Sequence, residues 1–191
     1  FMAEKPDVVF FTGDLVNDRT RELNDYFDIF KRVKAPHGVF STLGNHDYGD
    51  YMQWPSAKAK QQNLIDLIEG QKLMGWDVLM DENRAITLGG EKLGIIGVQN
   101  WGSGRFPKKG DLRKALIGTE EYAKKLLLTH DPSHWRAEVL GQTDIDVSFS
   151  GHTHGMQFGV EIPGFKWSPA QYVYKEWAGL YAENDQKLYV N

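Results

Sequence analysis

The sequence predicts an α/β domain that mixes parallel strands with hairpin pairing, and three observations carry that expectation. Short apolar runs recur and each one runs into a polar cluster, as Val8-Val9-Phe10-Phe11 does into Thr12-Gly13-Asp14; continuous runs of this kind mark strands buried on both faces. A segment with helical spacing separates the first two runs, which makes a β-α-β unit and a parallel pair. Farther along, Gly89-Gly90 lies between two strand-like segments and reads as a hairpin turn.

Taken in order, Val8–Phe11 is the first strand. From Thr20 to Val33 the residues Leu23, Tyr26, Phe27 and Phe30 recur at three and four, which predicts an amphipathic helix opened by Asp18 or Thr20 and closed before Pro36. Gly38–Leu43 is a second buried strand. A loop rich in aromatics and glycine, Tyr48 to Pro55, leads into a helix from about Ser56 to Leu73 with Leu64, Leu67 and Ile68 inward. Short strands follow at Asp77–Met80, Arg84–Leu88 and Leu93–Val98. In the loop Asn100–Gly110, Trp101 covers the rim of the core or lines a pocket. Lys125–Leu128 and Asp146–Ser150 are further buried strands, with a short helix around His134–Leu140 between them.

Length and composition bound the function. The 191 residues, 41% hydrophobic and 25% charged, suit one globular domain over residues 1–191. The absence of cysteine excludes disulfides, thiolate zinc sites and cysteine nucleophiles, so any metal takes nitrogen and oxygen ligands. With 22 Lys and Arg against 26 Asp and Glu, and no long basic run, nucleic acid is not an expected partner. No apolar run approaches the roughly 18 residues of a membrane span. The chain opens at Phe1-Met2-Ala3 and stops within the alternating Leu188–Asn191, so truncation at both ends is expected.

The polar clusters carry the chemistry. Four strands end in Gly13-Asp14, Gly44-Asn45-His46-Asp47, Thr129-His130-Asp131 and Gly151-His152-Thr153-His154-Gly155. In open α/β sheets the carboxyl ends of strands are where ligands bind. Each cluster has a plainer reading. Asp14 could cap a helix, and Asn-His-Asp is common turn chemistry. The His-X-His spacing decides for a site, because on an extended backbone residues two apart point the same way and both imidazoles can face one metal centre or bracket a pair. His37 reads as a solvated turn residue and His134 as a helix-start residue or a support behind the site. The ring-rich stretch Phe158–Tyr181 reads as satellite core, with a surface for an apolar substrate or a bilayer interface as its alternative.

These blocks, in this order, resemble the calcineurin-like metallophosphoesterases, and Gly151 to Gln157 resembles a bacterial subgroup with a Gly-His-Thr-His-Gly-X-Gln motif. The resemblance implies a four-layer α/β/β/α sandwich of two mixed sheets with helices outside. It implies hydrolysis of a phosphomonoester or phosphodiester by a bridging hydroxide at a dinuclear site holding two divalent ions, Mn, Fe, Zn or Co. Asp14 would bridge the ions, Asn45, His130 and His152 would complete the second site, and His154 would serve the first. His46 would protonate the leaving group or hold the transferring phosphoryl, oriented by a hydrogen bond from its other ring nitrogen to Asp47. Members of the subgroup are often membrane-associated, which adds lipid-linked phosphates to the candidate substrates and membrane association to the expectations for the full-length protein. The family's first block, an Asp-X-His on an earlier strand, does not occur ahead of Asp14. A catalytically impaired metal-binding or partner-binding scaffold is therefore the alternative to the enzyme, and a nuclease is the third reading, which the charge balance disfavours.

Overall fold

The computed structural model describes residues 2–104, 106, 108–155, 157–163 and 165–191; Arg105 and Pro107 of the loop after Asn100, and Gly164 of the ring-rich stretch, lie outside them. Strands β1 (Val9–Phe11), β2 (Val39–Ser41) and β3 (Asp77–Val78) form a parallel three-stranded sheet in that order. Its outer face is covered by one helical turn, α1 (Phe27–Phe30), and by the long helix α2 (Ala57–Met74). Ser56 caps α2 by accepting from the Ala59 N–H, and Gly75 closes it at φ +88°, where a side chain would be strained.

The next strands build a second sheet. They are β4 (Glu82–Leu88), β5 (Glu91–Gly97), β6 (Lys124–Leu128) and β7 (Val147–Ser150); a separate hairpin follows, β8 (Val160–Ile162) with β9 (Phe165–Trp167), and then β10 (Gly179–Glu183) and β11 (Gln186–Val190). The order is β10-β11-β7-β6-β5-β4, parallel from β5 through β11 and antiparallel at both edges. Gly89-Gly90 makes the β4–β5 turn, with both residues at positive φ.

Three apolar clusters define the layers. Phe40 and Leu79 meet Ile95 and Leu128 between the sheets. Val9, Val39, Leu67 and Met74 join the first sheet to α2. Ile96, Leu127, Trp135 and Val139 join the second sheet to α3 (Leu112–Ala115) and to a wide helical turn at Trp135–Val139. The result is helix, sheet, sheet, helix: the α/β/β/α sandwich.

Two local expectations fail. The helix expected over Thr20–Val33 is broken into a tight turn at Thr20–Leu23 and the single turn of α1. Glu22 spends its carboxylate on the N–H groups of Asn17, Asp18 and Arg19, and Thr20 is held by Asn63 of α2 through its N–H and hydroxyl. These bonds, with the weak helix formers Asn24 and Asp25, displace the helical ladder. The ring-rich stretch divides rather than forming satellite core. Trp177 is buried, but Phe158, Phe165 and Tyr172 are 73%, 53% and 77% exposed.

Candidate metal centre

The parallel strands β1, β2, β6 and β7 all end on one edge of the sandwich, and their following loops deliver Asp14, Asn45, His130 and His152. His130 is the hub. Its Nδ1 faces the Thr12 carbonyl at 2.7 Å, an oxygen that can only accept, so the ring donates from Nδ1 and the neutral form carries a lone pair on Nε2. Around that nitrogen stand Asp14 Oδ2, Asn45 Oδ1 and His152 Nδ1, each at 3.1 Å. Asn45 is oriented by donating its amide to the Tyr51 hydroxyl at 2.7 Å, which leaves its carbonyl oxygen toward His130.

Several lone pairs thus converge where one ring N–H could satisfy at most one of them, an arrangement that calls for a cation. Donor atoms of Asp14, His130 and His152 lie within 4.8 Å of one another. The electrostatics agree. Burial opposes a charge on His130, but the facing Asp14 carboxylate outweighs it and lifts its pKa, while Asp14, also opposed by burial, is held below its usual range by His130. Burial, then the neighbouring His130, pushes His152 down to about 4, so its imidazole is neutral at neutral pH. Among the described residues His152 Nε2 is buried without a hydrogen-bond partner, and its ring meets Phe106 and Tyr174 edge-on at 4.9 and 5.5 Å. A donor set of imidazole, carboxylate and amide oxygen suits Mn, Fe, Zn or Co.

The backbone is shaped for this approach. Asp14, His152 and His154 have φ of 59°, 69° and 52°, a left-handed conformation that costs a non-glycine residue on the order of 1–3 kcal/mol and concentrates at functional sites. His152 and His154 therefore do not sit on an extended backbone as their spacing suggests, and they diverge. His154 is exposed, with Nδ1 2.7 Å from Gln157 Oε1, and stands outside the cluster of Asp14, His130 and His152. Gly44 serves close approach rather than a reversed turn: a Cβ there would stand 2.7 Å from both the Asp14 nitrogen and His130 Cε1.

Asp47 corrects a second expectation. Its buried carboxylate does not reach the His46 ring. It accepts the N–H groups of Asp14, Leu15, Val16 and Gly44 at 2.9, 2.8, 3.3 and 2.8 Å, tying the two metal-facing loops together. Burial outweighs those bonds and pushes Asp47 up to about 6. The His46 ring is held instead by the Asn17 carbonyl, 2.8 Å from Nδ1, and packs on Tyr51 with ring centroids 4.7 Å apart. Its backbone N–H donates to Asp14 Oδ1 at 3.0 Å. Thr12 and Asn17 act through backbone carbonyls, which residue type does not reveal; Tyr51 lies in the aromatic loop already singled out.

Behind the site, His134 is fully buried, with Nδ1 2.9 Å from Thr129 Oγ1, and it stacks on Trp101 at 4.9 Å, so Trp101 belongs to the covered rim of the core. An open cleft of about 640 Å³ runs from Asp14, His46 and His154 to Tyr26 and Phe30. A similar cavity of about 660 Å³, around Lys109, Arg113 and Gln142, contains none of the predicted site residues.

Comparison with known proteins agrees with this architecture. The chain is 30% identical over 170 residues to the putative metallophosphoesterase F40B5.2 of Caenorhabditis elegans, covering 84% of this chain and 32% of that protein. It is 27% identical to the uncharacterized metallophosphoesterase YkuE of Bacillus subtilis (98% and 60% covered) and 24% identical to the UDP-2,3-diacylglucosamine pyrophosphatase LpxG of Chlamydia muridarum (84% and 57% covered). The chain thus spans between about a third and three fifths of the length of these relatives. The fold is shared with the sulfate thiohydrolase SoxB of Thermus thermophilus, at a TM-score of 0.56 and 14% identity over 96% of this chain and 33% of that one. The family described as calcineurin-like phosphoesterase matches residues 2–156, and with the four strand-end clusters in their places the chain belongs to that family.

Proposed function

We propose that this chain hydrolyses a phosphate ester with the help of divalent metal ions held by Asp14, Asn45, His130 and His152. The observation that carries the reading is the convergence of their donor atoms on His130 Nε2, with Asp14 also lining a cleft that contains His46. Divalent ions at such a site supply Lewis acidity toward phosphoryl oxygens and activation of water. The protein's own residues do the rest. The Thr12 carbonyl fixes the tautomer of His130, Tyr51 aims the amide of Asn45, and Asp47 keeps the Asp14 loop in its left-handed turn. As water adds to phosphorus and the P–O ester bond breaks, His46, its Nδ1–H held by the Asn17 carbonyl, would act in its imidazolium form, passing the Nε2 proton to the departing oxygen while the attacking water gives up a proton to solvent.

The residues present favour one tightly held ion among Asp14, Asn45, His130 and His152, and a weaker second one served by Asp14 and His154. The names of two relatives, a pyrophosphatase of UDP-2,3-diacylglucosamine and the Escherichia coli phosphodiesterase YaeI, support phosphoester substrates that include diesters and lipid-linked ones alongside monoesters. The test is turnover of aryl phosphomonoesters and diesters by Mn-loaded protein, beside its metal content. His46→Asn should lower turnover about 100-fold with metal retained. Loss of metal in that variant, with turnover per bound ion unchanged, would make His46 a ligand and overturn its assignment.

A further inference from the structure

The cleft that opens beside the metal-facing residues is chemically two-sided. One end is polar, with Asp14, His46 and His154; the other is walled by Leu15, Val16, Tyr26 and Phe30. That apolar wall is rigid. Val16 is 5% exposed within the core cluster on α2, and Phe30 packs edge-on against Trp76 with centroids 5.9 Å apart. Tyr26 differs: its backbone is fixed by an N–H bond to the Leu23 carbonyl at 3.0 Å, yet its side chain leaves the residue 56% exposed. An exposed aromatic ring on a fixed stretch of backbone, lining this cleft, is a surface for another flat or apolar group.

The charges on the wall narrow the choice. Besides Asp14, the described lining carries the carboxylate of Glu22 and includes neither lysine nor arginine. Glu22 is immobilised by the N–H groups of Asn17, Asp18 and Arg19, at 2.8, 3.2 and 2.8 Å. Burial opposes its ionisation, but those bonds together with one from the Asn17 side-chain amide outweigh it and hold Glu22 below the usual carboxylate range, so it is a fixed negative charge at neutral pH. A second phosphate or a carboxylate on the substrate would meet it with nothing on the wall to offset the repulsion.

We propose that this cleft selects phosphate esters whose organic group is apolar and uncharged, that group lying on Tyr26 and Phe30 while the phosphate faces Asp14 and His46. The inference rests on the phosphoesterase reading for the identity of the polar end. Tyr26 is the specificity-determining residue, because it touches the organic group and supports little of the core. Glu22 excludes anionic groups from the same wall.

Calorimetric titration of the Mn-loaded protein with 1-naphthylphosphonate, methylphosphonate and a carboxylated naphthylphosphonate tests this without relying on turnover. The naphthyl compound should bind about tenfold or more tighter than the methyl one, as burial of an aromatic group implies. Tyr26→Ala should remove about tenfold of naphthyl binding and leave methylphosphonate unchanged, with the unfolding midpoint checked alongside. The carboxylated compound should bind about tenfold more weakly than the plain one, and recover in Glu22→Gln. Equal binding of naphthyl and methyl compounds, or naphthyl binding indifferent to Tyr26→Ala, overturns the proposal; carboxylated and plain compounds binding alike overturns the exclusion by Glu22. Ester turnover is read on the same samples. No hydrolysis of any ester, with the naphthyl preference intact, supports the cleft's role and overturns only the hydrolase reading.

Discussion

Replacing Gly44 with alanine probes the centre with the smallest possible change, one methyl group. A Cβ at this position would lie 2.7 Å from the Asp14 nitrogen and 2.7 Å from His130 Cε1, and closer still to the Asp14 carboxylate, where ordinary contact starts at 3.4 Å. The Asp14 backbone and the His130 ring must therefore draw back by at least about 0.7 Å, and the Asp14 carboxylate by more, and both residues are candidate ligands. Ligand distances in metal sites tolerate only about ±0.2 Å. The expected result is a loss of Mn or Zn affinity of about 100-fold or more, together with a stability loss of about 1–3 kcal/mol from overpacking. Calorimetric metal titration gives the first quantity and urea unfolding the second. Gly70→Ala is the control: it lies inside α2, its new Cβ would meet only Leu23 Cδ2 at 3.4 Å, and it should gain about 0.5–1 kcal/mol from helix propensity with metal binding untouched. Wild-type metal affinity in Gly44→Ala would refute the view that Asp14 and His130 bind together across this glycine.

Other perturbations follow from the same geometry. Asp47→Ala strips the acceptor from four backbone N–H groups, so it should lower stability by about 2–4 kcal/mol, the relief of a buried charge offsetting part of the loss, and weaken metal binding as the Asp14 loop relaxes. An unchanged unfolding midpoint, with turnover alone reduced, would return Asp47 to the role of orienting His46. For His134, burial is the main cause that pushes its pKa down to about 4, against the weaker pull of Glu138 and Asp131 and with a contribution from Lys108. The unfolded chain then binds the extra proton first, so stability should fall as pH drops from about 6.5 to about 4, by about 3 kcal/mol in total. Urea unfolding at several pH values should show that slope reduced in His134→Gln; an identical slope in both proteins would mean that His134 accepts a proton in place.

Local features of the sequence marked the strands through β7 and the polar ends of β1, β2, β6 and β7, but not the strands β8, β9 and β10 in and beside the ring-rich stretch. Buried β-strands need unbroken apolar runs, glycine is needed where loops approach closely, and a cation site needs carboxylate, amide and imidazole, so residue type and position marked Asp14, Asn45, His130 and His152 as candidates; their roles as ligands came from the family resemblance. The layering of two sheets followed from the family resemblance together with the mixture of a β-α-β unit and a hairpin. What the sequence did not determine depends on partners distant along the chain. Asp47 reads as a companion of His46, its neighbour, but its carboxylate is claimed by N–H groups more than 30 residues away. The helical spacing after Thr20 yields to bonds from Glu22 and to Asn63, and in breaking there the chain places Tyr26 and Phe30 beside the metal-facing residues. His152 and His154 share a strand-like spacing but not a direction, because each adopts a left-handed backbone that only the surrounding packing can hold. Apolar periodicity and turn chemistry act between near neighbours and are written into the sequence; the assignment of a carboxylate, a ring nitrogen or a strained φ goes to whichever partner folding brings within hydrogen-bonding distance, and that is settled only when the sheets pack.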